Sequence, residues 1–168
     1  MSPAPELPSV EDALGRMAEA LKPLLAHKPV MIGIHTGGAW VAARLHKKLG
    51  LGDALGTLDI SFYRDDFTRI GMNPEVKASN LPVNIEGRHV ILVDDVLHTG
   101  RTIRAAMNEI FDYGRPAAVT LAVLIERGGR ELPIAAQVVG GHVRLDRNQH
   151  IKLGGPERLT LKIQEAGA

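Results

Sequence analysis

One segment constrains this chain more than any other: Val90-Ile91-Leu92-Val93-Asp94-Asp95-Val96-Leu97-His98-Thr99-Gly100-Arg101-Thr102. Apolar residues running into two acids read as a buried strand arriving at a turn. Thr-Gly-x-Thr, followed by Ile103, Met107, Ile110 and Phe111 at helical spacing, reads as a loop opening a helix to about Tyr113. Such a loop presents unpaired backbone N–H groups and the positive end of a helix dipole. Thr99 and Thr102 add hydroxyls, and Gly100 lets the backbone approach a ligand closely, so the loop is a candidate monophosphate cradle. Two carboxylates beside it would repel a phosphate and should face something else. Sugar hydroxyls, or magnesium shared with a second phosphate group, are the natural candidates. Taken singly, each piece has a plainer reading, the acids as a solvated turn and Thr-Gly-x-Thr as a helix cap. Together they suggest a phosphorylated sugar. The Gly-x4-Gly-Lys spacing of a P-loop is absent.

The remaining pattern alternates strands and helices. Ser9 and Asp12 have capping-box spacing, and Val10, Leu14, Met17, Leu21, Leu24 and Leu25 recur at helical spacing. Pro23 is expected to kink or shorten the last turn. Val30 to Ile34 is of strand length; Gly37-Gly38 breaks it, and Ala39 to Leu49 predicts a helix with Trp40, Val41 and Leu45 on one face. Leu55 to Phe62 alternates as a strand, after which Tyr63 to about Asn80 loses all pattern, as lids and disordered loops do. Leu81 to Ile85 is a candidate short strand. His89 to Val93 and Ala118 to Ile125 read as buried strands, with further candidates at Ala136 to Val139 and Leu159 to Ile163. The expected fold is α/β, a mostly parallel central sheet with helices on both faces and ligands beyond the carboxyl ends of its strands. Both glycine loops fall at that end.

Length and composition narrow the class. At roughly 150 residues per domain, 168 residues predict one domain, 9–168, after a disordered lead-in at 1–8 that carries Pro3, Pro5 and Pro8. Cysteine is absent, which excludes disulfides and thiolate chemistry. Ala117 to Ile125 is the longest nearly apolar run, against the roughly 20 residues a membrane span requires. The start shows no signal-peptide pattern, so a soluble cytoplasmic protein with no membrane partner is expected. Lys+Arg 20 against Asp+Glu 19 gives +1, so any nucleic-acid surface must be local. The seven histidines include no pair at three- or four-residue spacing, which argues against a helical zinc site. His46 and His89 are expected to be structural or exposed, and Trp40 to pack in the core or a subunit interface.

The Val90–Thr102 segment resembles the PRPP motif of type I phosphoribosyltransferases. Leu58-Asp59-Ile60, Tyr63-Arg64-Asp65-Asp66, Gly114-Arg115-Pro116, Arg127-Gly128 and Arg130-Glu131-Leu132-Pro133-Ile134 resemble one branch. That branch is the pyrimidine operon attenuation regulators that are also uracil phosphoribosyltransferases. The resemblance implies the type I phosphoribosyltransferase fold with a flexible hood at about 63–87. It implies a magnesium-dependent reaction of uracil and PRPP giving UMP and pyrophosphate. Asp94 and Asp95 would hold the ribose 2- and 3-hydroxyls, and Thr99, Gly100, Arg101 and Thr102 the 5-phosphate, with Val96, Leu97 and His98 in the same PRPP- and UMP-binding stretch. Thr36-Gly37-Gly38 would be the pyrophosphate loop, and Arg64 the hood cation that completes the catalytic set with Asp94 and Asp95. Magnesium would be held mainly through PRPP, with Asp94 and Asp95 as its candidate protein ligands. A homodimer or a higher assembly is implied, as is binding to the leader RNA of the pyrimidine operon.

The chain departs from that branch in places. The branch commonly reads Thr-Arg-Gly in the pyrophosphate loop, where this chain has Gly37, and a guanidinium suited to bidentate pyrophosphate binding is missing. His98 stands where relatives often have tyrosine. The first helix carries Glu11, Asp12, Gly15, Arg16 and Glu19 where RNA-binding members are rich in Arg and His; Gly129 and Ala135 replace a histidine and an arginine. Arg127, Arg130, Arg144, Arg147 and Lys152 against Glu131 and Asp146, formally +3, form the one candidate RNA footprint, with a solvated face as its plainer reading. The expectation is a retained transferase with RNA binding weak or lost. Alternatives are a nucleotide-sensing regulator with little turnover, or a phosphoribosyltransferase for another base. Purine enzymes of this class usually carry a lysine where this chain has Leu124-Ile125-Glu126-Arg127.

Overall fold

The computed structural model describes residues 5–60 and 79–165. Ser9 caps the first helix, α1 (Val10–Leu21), by accepting the Asp12 N–H at 3.0 Å. A 3-10 turn over Lys22–His27 follows, with Pro23 at its start, so the proline ends the α-helix at Leu21. Strand β1 (Val30–Ile34) leads to α2 (Gly37–Leu49), then β2 (Gly56–Leu58), β3 (His89–Leu97), α3 (Arg101–Tyr113), β4 (Ala118–Glu126), β5 (Val138–His142), β6 (Gln149–Gly154) and β7 (Thr160–Glu165).

Five strands form one sheet in the order β2-β1-β3-β4-β5, every pair parallel. One face packs α1 and α2 through Leu14, Met17, Leu21, Val41 and Leu45; the other packs α3 through Ile103, Ala106 and Ile110. With both faces covered, β1, β3 and β4 can be nearly continuous apolar runs. The order reverses between β1 and β3, and the crevice beyond their carboxyl ends is the expected ligand site of such a sheet. Among the described residues, no helix is long and apolar enough to cross a membrane.

Several boundaries differ from expectation. The strand ends at Ile34, but the helix after it starts earlier than Ala39: Gly37 and Gly38 form the first turn of α2, packed against Asp95 and Asp94. The second strand is shorter than expected, covering Gly56–Leu58; Asp59 and Ile60 are buried beyond it, and Ser61 and Phe62 lie outside the described residues. Leu81 to Ile85 is not a strand. Asn80 alone bridges Thr57, Pro82 has no N–H for a ladder, and the Asn84 side chain accepts the Glu86 N–H in a turn. Phe111, expected inside, is 52% exposed, since it stands 100° around α3 from the sheet-facing Ile110. The candidates in the last third shift in position, and β6 went unpredicted. It pairs with β7 as an antiparallel hairpin apart from the main sheet. Trp40 packs against that hairpin: a Cβ at Gly155 would lie 2.9 Å from its ring, and Arg44 donates to the Pro156 and Glu157 carbonyls. Of the expected lead-in, Leu7 packs on the core and Pro8 lies against Gly141.

Candidate active site

Two loops meet at the switch point. The first leaves β1 through His35 and Thr36, joined by a cis peptide, and enters α2 at Gly37. No side chain caps α2, so its first N–H groups point into the crevice without a side-chain acceptor from Thr36. The second loop leaves β3, which runs through Asp94 and Asp95 to Leu97 rather than ending at Val93. Register holds them together: Gly33 pairs with Val93, and Asp94 with Val123 of β4. The backbones approach so closely that a Cβ on Gly38 would lie 2.8 Å from the Val93 carbonyl oxygen and 2.9 Å from the Asp94 Cα. A side chain at that position is sterically excluded.

Asp94 is 3% exposed, and its Oδ1 accepts the Asp95 N–H at 2.8 Å; Asp95 Oδ1 accepts the Val96 N–H at 2.8 Å. Each carboxylate is therefore oriented by backbone before any ligand arrives, which lowers the reorganisation needed on binding. Gly100 follows with φ 95°, a conformation that favours glycine, and it starts α3 without a side-chain cap. Thr99 Oγ1 accepts the Arg101 N–H at 3.1 Å, and the Thr99 carbonyl accepts the Glu131 and Leu132 N–H groups. The cradle is thus braced from beneath by the chain that follows β4.

That brace is a charged network. Glu126 Oε1 accepts from the Arg130 guanidinium and, at 3.0 Å, from the Gly128 N–H, while its Oε2 lies 3.1 Å from His142 Nδ1. Burial by itself would raise the Glu126 carboxyl; the hydrogen bonds from Arg130, His142 and Gly128 outweigh it and hold it below the ordinary value. Arg130 also donates to the His98 carbonyl. Arg127, 7% exposed, donates to the carbonyls of Gln149 and Asp146, and burial lowers its pKa. His98 is pushed below the ordinary histidine value, first by burial and then by the Arg127 charge, which favours its neutral ring.

A pocket of about 340 Å³ opens at this point. Asp94, Asp95, Val96 to Gly100 and Thr102 line it as expected from the sequence. Gly37 and Gly38 border it through their closeness to Asp95 and Asp94, and Thr36 directly precedes them. The Arg101 side chain turns away, its Nε donating to Glu131 at 2.9 Å, so this residue offers the site its backbone. Arg64 lies outside the described residues. Ile151 of β6 was missed and lines the pocket. Its signal was the alternation Gln149-His150-Ile151-Lys152-Leu153, but nothing local says that a hairpin near the C-terminus returns to the β3 loop. Two cations of the expected RNA footprint, Arg127 and Arg130, are instead engaged in the brace.

Comparison with known proteins agrees with this geometry. The family described as "Phosphoribosyl transferase domain" matches residues 6–154. "Bifunctional protein PyrR" of Nitrosococcus oceani is 62% identical over 151 residues, covering 89% of this chain and 83% of its own. The same-named protein of Pseudomonas aeruginosa PAO1 is 54% identical over 93% of this chain and 94% of its own. A crystal structure of a purine phosphoribosyltransferase from Pyrococcus horikoshii superposes with a TM-score of 0.62 at 26% identity, over 79% of this chain and 81% of that one.

Proposed function

The chain belongs to the type I phosphoribosyltransferase family, in the branch of the bifunctional PyrR proteins, and on that premise we propose that it converts uracil and PRPP to UMP and pyrophosphate. The observation that carries this reading is the pocket at the β1/β3 switch point, where an oriented acid pair stands beside an uncapped helix start. The α3 N–H groups and the hydroxyls of Thr99 and Thr102 take the 5-phosphate. Asp94 and Asp95 accept from the ribose 2- and 3-hydroxyls. The first-turn N–H groups of α2 at Gly37 and Gly38 face the pyrophosphate. Val96 and Ile151 offer apolar surface to a flat base, the glycine-spaced backbone its polar edge.

The anomeric C–O bond breaks toward pyrophosphate as the base nitrogen approaches, through an oxocarbenium-like state. This requires no covalent nucleophile. The residues act by holding the sugar's two ends while charge builds on the departing oxygen, with α2 and Arg64 as the stabilising donors. The donor set suits magnesium: among the described residues no group of three or more His, Asp or Glu side chains is placed to bind a metal, but two adjacent carboxylates suffice for an ion that keeps phosphate and water ligands. When bound, magnesium supplies charge neutralisation at the pyrophosphate. The region Leu124-Ile125-Glu126-Arg127 holds no lysine of the kind usual in purine enzymes of this class, which lowers the purine reading. A cytoplasmic homodimer or higher assembly of dimers completes the reading.

We place leader-RNA binding as weak or lost. On α1 three carboxylates, Glu11, Asp12 and Glu19, stand against Arg16, whose Nε donates to the Gly140 carbonyl at 2.6 Å. The test of the enzyme is UMP formation from labelled uracil, PRPP and magnesium. We expect turnover, and a loss of at least about a hundredfold in the Asp94→Asn/Asp95→Asn double variant. Binding of UMP with no turnover in the wild type would replace the enzyme with a nucleotide sensor.

A further inference from the structure

Three glycines pack between β1, α2 and β3, and they differ in what excludes a side chain. At Gly33 a Cβ would meet the Ala39 Cα at 2.8 Å and the Gly38 carbonyl oxygen at 2.9 Å; at Gly38 it would meet the Val93 carbonyl oxygen and the Asp94 Cα. Those obstacles include backbone, which makes both glycines structural. Gly37 is different. Its φ is not in the left-handed region, and it lies in the first turn of a helix, where glycine is the poorest former after proline. The three atoms nearest to its missing side chain all belong to Asp95: a Cβ would collide with Oδ2, and would lie 2.8 Å from Cγ and 3.2 Å from Cβ of that residue.

We propose that Gly37 is a positioning residue: the side chain it lacks leaves the seat in which the Asp95 carboxylate is held against the start of α2. Oδ1 accepts the Val96 N–H at 2.8 Å, and Oδ2 occupies the space that a Cβ on Gly37, in the first turn of α2, would take. The seat turns Asp95 toward the first loop, while Asp94 is held by the Asp95 N–H. A chain with a side chain at position 37 must hold its second acid in another rotamer. Glycine here therefore does more than remove a cation from the pyrophosphate loop; it sets where the second acid stands. The functional part of this inference rests on the proposed transferase reading, the steric part does not.

The test is a pair of double-variant cycles on the full chain. At an unobstructed helix position Gly→Ala raises stability, so the sign of the effect is diagnostic. Gly37→Ala lowers Tm, by about 2–4 °C for a cost near one hydrogen bond. The loss persists in an Asp95→Asn background, where the collision remains, and reverses to a gain in Asp95→Ala, where the seat is empty. Gly37→Ala also lowers kcat/KM for PRPP about tenfold, because it displaces the acid that holds the ribose; it adds nothing in the Asp95→Ala background. A Tm gain in the wild-type background, or an equal loss in all three backgrounds, overturns the proposal. If Gly37→Ala does not fold, the Gly37→Ala/Asp95→Ala double variant must fold, and its failure likewise overturns it. A wild type with no PRPP turnover refutes the enzyme reading instead, and the Tm cycle still decides the seat.

Discussion

At the residue scale, the acid pair is informative because its side chains are oriented by their own backbone: each carboxylate accepts the next residue's N–H at 2.8 Å. These bonds lie between neighbouring residues, which is why the acid pair could be located from sequence, although the seat of Asp95 at Gly37 could not. His98 is the opposite case. Its lowered pKa comes from burial first and from Arg127, a residue of the next strand's end, and no sequence pattern contains that pairing. The sign of its effect is definite. A histidine held below 6.5 in the fold binds fewer protons than the unfolded chain as pH falls, so its contribution is intact above about 6.5 and is lost as pH drops toward the folded value. We expect the Tm of His98→Asn to fall less than that of the wild type between pH 7.5 and 5.5. A histidine resonance midpoint at or above 6.5 for His98 would contradict the assignment.

At the element scale, the active-site loops are held by chain that lies far away in sequence. Arg127 at the end of β4 donates to the Gln149 and Asp146 carbonyls, and so fixes the turn that delivers Ile151 to the pocket. Its Nε is buried without a hydrogen-bond partner, so this cation is retained at a cost, for the two bonds it makes. Arg127→Met should lower stability by about 1–3 kcal/mol, the loss of two half-buried hydrogen bonds from a charged donor. Amide exchange should quicken across β6, Gln149–Gly154, more than across β3. Uniform exchange in both strands would assign Arg127 a general packing role. The elements themselves were uneven in their legibility. The runs of β1, β3 and β4 were plain because strands buried on both faces must be apolar throughout. The strand expected at Leu81 to Ile85 failed on a proline without an N–H, and β6 was hidden because a short alternating hairpin has a weak local signal.

At the scale of the whole molecule, charge and topology decide what the protein can bind. Within the expected RNA footprint, Arg127 and Arg130 donate to groups of the chain itself, leaving Arg144, Arg147 and Lys152 exposed. A footprint with three exposed cations makes few phosphate contacts, and the salt dependence of RNA binding scales with that number. We expect UMP to raise Tm, in line with about 2.7 kcal/mol at a hundred times its Kd, while leader RNA at low salt binds weakly and without enhancement by UMP. Tight, UMP-enhanced, salt-sensitive binding to that RNA would show the regulatory surface to be intact.

By itself the sequence determined the α/β class and located the acid pair and the candidate phosphate cradle, because each is written in neighbouring residues: apolar runs for buried strands, Thr-Gly-x-Thr for a helix start. Tertiary structure alone decided that Gly37 belongs to a helix, that Arg127 and Arg130 are braces, and that Ile151 reaches the pocket. Those outcomes depend on contacts between chain segments far apart in sequence, at Asp95, at Gln149 and at the β3 loop. Local propensity is too weak an energy to decide where such contacts form, and packing overrides it.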